Sequence, residues 1–378
     1  MSLNVEELLQ TCLDKGATDI YLTVGSPPTL RFGQQVQPYT DARLTDEDLK
    51  LALQSLISLD AIEEFSSTLE YNTAINWKNA ARFRINVFRQ RQHTGIVMRR
   101  IQTTIPSLQS LDLPPIYSDL IMEKRGLILV VGPTGSGKST SLASMLQHRN
   151  LNGYGHIVTI EDPIEYLLEH KNCIVTQRDV GIDTYSFGIA LKNALRQTPD
   201  VIVIGEIRDK ETMEHAVVFA ETGHLCLATL HANNANQAIE RIINFFPEER
   251  HKQILLNLSM NLKAVLSQRL VPNVHGTRSV ALEIMLNHGL IRNLIQEGRV
   301  KELKEQIEKG RDEGMQSFDQ ALIDLFVAGH ITEDMALSES DNPANLRLAL
   351  KQHEMSRRAT SPFRSLPPGL GIINKQQF

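Results

Sequence analysis

One run of consecutive residues carries the most specific chemistry in the chain: Gly132, Pro133, Thr134, Gly135, Ser136, Gly137, Lys138, Ser139 and Thr140. It follows the apolar stretch from Leu127 to Val131, which reads as a buried strand, and precedes a helical pattern. A G-x-x-x-x-G-K-[ST] loop in that setting wraps a polyphosphate. Its glycines let backbone N–H groups face phosphate oxygens, Lys138 bridges the terminal phosphates, and Ser139 offers an oxygen to Mg²⁺. Nucleotide binding is therefore expected, and hydrolysis requires further groups.

Those groups are a base that positions water and a carboxylate-held shell around Mg²⁺. The apolar run from Val201 to Ile204 ends in Gly205, Glu206, Ile207, Arg208 and Asp209. In many P-loop ATPases such a strand ends in an acidic pair, one member serving Mg²⁺ and the other polarising water. Here Gly205 stands at the first position, which leaves Glu206 as the candidate base; the alternative is a solvated acid in a strand-to-helix turn. The missing carboxylate is sought between Thr159 and Tyr166, a segment carrying Glu161, Asp162 and Glu165. These acids leave an apolar strand and Pro163 forbids its simple continuation. They are expected at the C-terminal sheet edge, where doubly wound sheets place their ligands. Each could hold Mg²⁺ or orient water, or could simply cap a helix. His224 and His231 bracket the apolar run from Leu225 to Thr229. No third ligand is suitably spaced, so metal binding is not expected of them, and structural and catalytic roles both stay open. Arg82, Arg84, Arg89, Arg91, Arg99 and Arg100 crowd the N-terminal part. On a strand Arg82 and Arg84 share a face that could meet a γ-phosphate, solvent or an acidic partner.

The 378 residues suggest two or three domains, and 42% hydrophobic with 22% charged residues is ordinary for a soluble globular chain. A net charge of −5 gives no sign of an overall nucleic-acid binder. Cys12, Cys173 and Cys226 are scattered, without a C-x-x-C pair, which supports neither a disulfide framework nor a zinc module. The start lacks a signal-peptide pattern and no apolar run approaches membrane-spanning length, so a cytoplasmic protein is expected.

The elements that must position these residues fall into two patterns. From Val5 to Ile101 the periodicity predicts a helix ending at Gly16, strand pieces from Asp19 to Val24 and Thr29 to Phe32, and helices from Thr45 to Ile57 and Asp60 to Thr68. Alternating strands follow from Leu69 to Ile75, Ala81 to Phe88 and His93 to Ile101. This α+β module, residues 1–105, is followed by a proline-rich linker at 106–115. From Ile116 the pattern turns to alternating α and β. Buried strands are expected from Leu127 to Val131, Ile157 to Ile160, Val201 to Ile204 and Leu225 to Thr229, with helices between them, as in a parallel sheet covered on both faces. After His231 the chain reads as mainly helical, apart from a hairpin-like pair around Asn273 to Gly276. This second domain runs over 116–354, and the basic, Ser- and Pro-rich tail 355–378 is expected to be disordered or partner-bound.

Together the motifs resemble the secretion ATPase superfamily that powers type II secretion and type IV pili. GPTGSGKST, the acidic box TIEDPIEY, the strand end GEIRD and the histidine box TGHLCLATLHANNA occur in the family's order. GATDIYLTVGSPP is similar to the opening of its PAS-like N-terminal domain. The segment from Leu290 to Glu297 resembles the AIRNLIRE element of the PilT/PilU retraction branch, departing at Leu290 and Gln296. Those departures, HANNANQAIERIINFFP and the long tail are most similar to PilU, and a four-cysteine zinc module of the assembly members is absent from the sequence.

The resemblance implies an α/β fold: a RecA-like P-loop ATPase domain with a parallel sheet, a PAS-like α+β domain and a helical C-terminal region. It implies a homo-hexamer binding ATP and Mg²⁺ between the two domains of a subunit and a neighbour. By position, Lys138 and Ser139 hold phosphates and Mg²⁺, Glu206 activates water, and Glu161 and Glu165 belong to the acidic box. His224 and His231 sense the γ-phosphate or couple it to motion, and Arg84 and Arg99 reach nucleotide. The implied partners are a PilT-like ATPase and the inner-membrane pilus platform protein, at whose cytoplasmic face the ring would sit without contacting nucleic acid. A motor that retracts pili is the first reading. An ATP-binding structural subunit of a mixed assembly is the second, and a RecA-like nucleic-acid motor, disfavoured by 5% aromatics and the negative charge, the third.

Overall fold

The computed structural model describes residues 3–33, 35–78, 81–101 and 103–360. Its N-terminal part is an antiparallel sheet of β1 (Asp19–Thr23), β2 (Thr29–Phe32), β3 (Gln35–Pro38), β4 (Glu70–Trp77), β5 (Ala81–Gln90) and β6 (His93–Ile101). The spatial order is β3-β2-β1-β6-β5-β4. Period-two alternation decides the faces. On β5, Ala81, Phe83, Ile85 and Val87 are buried while Arg82 and Arg84 point to the other side. The helices Val5–Asp14, Asp46–Leu56 and Leu59–Thr68 close the apolar face, with Leu8, Leu49 and Phe65 in one core with Phe83, Ile85 and Ile96. Thr45 starts the second helix by a capping box with Asp48. The expected elements are all present. Strand β3 was not foreseen, because its four residues are exposed and lack an apolar alternation.

The segment 106–115 packs against the following domain: Leu108 and Leu113 are buried and the Pro106 carbonyl accepts from Ser144 Oγ at 2.8 Å. Then come β7 (Gly126–Val131), β8 (Gly155–Glu161), β9 (Cys173–Asp179), β10 (Val201–Ile204), β11 (Leu225–Leu230), β12 (Leu262–Pro272) and β13 (Arg278–Leu286). Their order is β13-β12-β7-β11-β10-β8-β9. Every residue of β7, β10 and β11 is buried, as strands covered on both faces must be. The strands from β12 to β9 are parallel neighbours, and the register pairs Val131 with Leu230, Ile204 with Ala228 and Ile160, and Glu161 with Asp179. One edge of the sheet therefore collects the phosphate loop after β7, His231 after β11, Glu206 after β10 and Glu161 at the end of β8.

The four expected parallel strands are present, β9 was missed, and the region after His231 is mainly helical apart from one pair of strands, as expected. The hairpin-like pair is there, but its strands, β12 and β13, run for 11 and 9 residues. A second compact unit comprises Val271–Ala281 and the chain from Ser317. In it the helices Phe318–Val327, Glu333–Glu339 and Pro343–Thr360 pack Phe318, Leu322, Ala336 and Leu346 with Val271 and Ala281. The last helix corrects one expectation: its backbone continues to Thr360, past the start assigned to the tail, whose remainder at 361–378 lies outside the described residues.

One buried side chain ties the phosphate-loop helix, Lys138–Asn152, to the start of β9. Asn150 donates to the Glu169 carbonyl at 2.7 Å and accepts from the N–H groups of Lys171 and Cys173, both at 3.3 Å. Asn150→Ala leaves these groups buried and unpaired, so it should lower the unfolding free energy by about 2 kcal/mol, to be read from urea denaturation.

Candidate active site

The phosphate loop is built on backbone conformations open to glycine. Gly132, Gly135 and Gly137 have φ of 153°, 78° and 89°. A Cβ at Gly132 would also strike the backbone carbonyl of Gln268 on β12, which cannot move aside. Gly137 caps the helix Lys138–Asn152 without a side-chain hydrogen bond, so its first-turn N–H groups stay free for an anion. Lys138 is buried, and its Nζ donates to the carbonyls of Gly132 at 2.8 Å and Pro133 at 2.9 Å. Burial lowers its pKa, against the opposing charges of Glu206 and Glu165. Thr134, Gly135, Lys138 and Ser139 line a cavity whose opposite walls include Glu161, Glu165, Glu206 and His231. Thr140 Oγ1 lies 3.0 Å from the Tyr166 hydroxyl, and Ser136 Oγ is buried without a hydrogen-bond partner.

Glu206 is a held group. One carboxylate oxygen accepts from Arg208 Nε at 2.8 Å and the other lies 3.2 Å from His231 Nε2. Arg208 also reaches Asp162 at 3.3 Å. Burial and the Lys138 charge lower the His231 pKa despite Glu206, which disfavours a charged imidazole beside that carboxylate. Glu161 accepts from Thr159 Oγ1 at 2.7 Å and Gln177 Nε2 at 3.3 Å. Its pKa is nevertheless pushed up to about 7, chiefly by burial, with repulsion from Asp179 and Glu165 added.

The arginines occupy a neighbouring cavity. Arg84, Arg99 and Arg100 face Pro163, Glu165 and Tyr166, the far side of the acidic box. Arg99 Nε donates to Asp19 at 2.7 Å. Within one chain Arg84 and Arg99 thus meet the acidic box, and neither lines the cavity of the phosphate loop. His224 is the other departure from a single shared site. It precedes β11 while His231 follows it, so the strand sets them at opposite sheet edges, about 20 Å apart at strand rise. His224 Nδ1 contacts the Thr222 hydroxyl and the Phe219 carbonyl. His224 thus lies outside the cavity that His231 lines.

Sequence reasoning missed Gln177 and Asp179 because it missed β9, although β-branched residues at 174–176 offered a signal. It also passed over Arg208 and Tyr166, whose roles come from folding and not from spacing. Among the described residues no group of three or more His, Cys, Asp or Glu is arranged to hold a metal ion.

Residues 5–358 match the family described as "Type II/IV secretion system protein". The chain is 50% identical over 350 residues to the type IV pilus ATPase PilU of Pseudomonas aeruginosa, covering 92% of each. It is 38% identical over 343 residues to the type IV pilus retraction ATPase PilT of the same organism, covering 91% of this chain and 100% of that one. The crystal structure of the pilus retraction motor PilT with bound ADP matches with a TM-score of 0.86 at 40% identity, covering 92% of this chain and 100% of that one.

The raised pKa of Glu161 has a sign that can be checked. The folded state binds the proton more tightly than the unfolded chain, so its stabilising effect is complete below the unfolded value of 4.5 and is lost as pH rises towards about 7. Glu161→Gln removes this loss. Urea midpoints measured from pH 5 to pH 8 should show the wild type falling relative to the variant as pH rises.

Proposed function

The chain belongs to the type II/IV secretion system protein family, and from that premise we infer an ATPase that drives retraction of type IV pili. The observation that carries this reading is Glu206, clasped by His231 and Arg208 on the wall facing Lys138. The fold is α/β: a RecA-like domain around the parallel sheet, an antiparallel N-terminal module and a helical C-terminal region. We take the functional division as 1–105, 106–115 and a last domain from 116 through the helix that ends at Thr360.

In the proposed reaction, the β- and γ-phosphates of ATP lie on the N–H groups of the glycine loop. Lys138 exchanges the carbonyls of Gly132 and Pro133 for phosphate oxygens. A water held by a Glu206 carboxylate oxygen attacks the γ-phosphorus, the bond to the β–γ bridging oxygen breaks, and Glu206 takes the water's proton. His231 and Arg208 keep that carboxylate aimed, while Glu161 and Glu165 shape the water layer beside it. The Ser139 hydroxyl and the carboxylates of Glu161, Asp162, Glu165 and Glu206 line the cavity, hard oxygen donors that suit Mg²⁺ beside phosphates and water. When bound, it would neutralise charge on the phosphates.

The identity of 50% to PilU against 38% to PilT favours an accessory to a PilT-like ATPase. We place the chain in a homo-hexameric ring on the inner-membrane platform protein, at its cytoplasmic face. Among the described residues no helix is long and apolar enough to cross a membrane, so attachment through partners fits. In a ring, Arg84 and Arg99 are the groups available to a neighbour's nucleotide.

Glu206→Gln should lower turnover by about 10²- to 10⁴-fold while a fluorescent ATP analogue still binds, whereas Lys138→Ala should lose binding. Turnover unaffected by substitution of Glu206 would sink its assignment as base. A deletion strain should lose twitching and keep or gain surface pili; loss of pili would contradict retraction. Addition of a PilT-like ATPase should raise turnover if the accessory role holds.

A further inference from the structure

His231 reaches Glu206 from a backbone position that lies just beyond the sheet. The parallel pairing of β11 with β7 ends at Leu230 and Val131, so His231 is the first residue past the ladder. The turn that follows is held by the helix it enters, Ala235–Asn244, and by β13. Asn234 caps that helix by accepting from the Gln237 N–H at 2.9 Å, and Gln237 Oε1 accepts from the Asn233 N–H at 3.1 Å. The buried Glu283 accepts from the Ala235 N–H at 2.7 Å and from Ser267 Oγ at 3.1 Å, which fixes where the helix starts. None of these bonds touches His231 itself. Arg241 does: its Nη1 donates to the His231 carbonyl at 2.9 Å, ten residues back along the chain. Side chains lean towards the N-terminus of their own helix, which brings the guanidinium to the turn. An exposed arginine in the last turn of a helix is ordinarily solvated, whereas this one directs a charge-assisted hydrogen bond at a single backbone oxygen.

We propose that Arg241 is a positioning residue for ATP turnover: by holding the His231 carbonyl it fixes the backbone from which the imidazole reaches Glu206 at 3.2 Å. Without that bond the turn keeps its anchors at Asn233 and Ala235 and loses the one at His231, and Glu206 is left to Arg208. Lys138 and its loop lie on the opposite wall of the cavity and keep their own bonds. Nucleotide affinity therefore persists while the carboxylate loses its aim. The proposal rests on the reading of Glu206 as the base that hydrolyses ATP.

The test is a double-substitution cycle in the full chain, with kcat and KM for ATP measured on the wild type, Arg241→Ala, His231→Ala and the double variant. Arg241→Ala should lower kcat about tenfold with KM within about twofold. In the His231→Ala background the same substitution should change kcat by less than about twofold, because Arg241 acts through the imidazole. A general loss of stability would slow both backgrounds alike. An unchanged kcat in Arg241→Ala, or the same loss in both backgrounds, would therefore overturn the proposal. Amide hydrogen exchange read by mass spectrometry needs no turnover: Arg241→Ala should speed exchange over 231–234 about tenfold and leave 132–140 as in the wild type. If the wild type shows no turnover, or Glu206→Gln is as fast, the assignment of the base fails on its own. Exchange over 231–234 then decides for Arg241, and an unchanged rate there overturns its hold on His231.

Discussion

A Cβ at position 205 would sit 3.0 Å from the Glu161 Cα and 3.1 Å from the Ile160 carbonyl oxygen, which accepts from the Gly205 N–H at 2.7 Å. That close approach of β8 and β10 where both strands end is the constraint on which the site is built. A side chain there would press on the backbone of β8 at Ile160 and Glu161. The Gly205 carbonyl is bound in turn by Thr229 Oγ1 at 2.5 Å, which ties β11 and its terminal His231 into the same corner. An aspartate in this position would require the neighbouring strand to give by a few tenths of an ångström. The carboxylates nearest to this corner stand on the adjacent strand and the segment after it, at Glu161, Asp162 and Glu165.

Much of this was legible in the sequence because short-range rules governed it. The glycine loop, Lys138 and Ser139 are set by local backbone conformation, and the runs that became β7, β10 and β11 are apolar throughout because both faces are covered. Glu206 could be named from its place after an apolar run. What could not be read was pairing between distant segments: Arg208 with Asp162, Tyr166 with Thr140, and β9 beside β8. His224 shows the complementary failure. Its place in a motif suggested a shared pocket, but a straight strand between two histidines necessarily separates them.

Electrostatics at this edge follow from burial. Glu161 and Asp179 are both pushed up, to about 7 and about 6, chiefly by burial, with the charges of Asp179 and Glu165 adding at Glu161 and that of Asp183 at Asp179. Glu206 escapes this crowding by having Arg208 and His231 as partners.

Lys138, buried and bonded to the carbonyls of its own loop, gives nucleotide entry the character of an exchange. The loop is ordered around an internal occupant before any ligand arrives, so the entropy of shaping it belongs to folding and not to association. Each nucleotide must break the same two bonds, and this fixed offset cancels in the ratio of affinities for ATP and ADP. Discrimination between substrate and product then falls to the wall of Glu206 and His231, across the cavity from the motif by which the site is recognised.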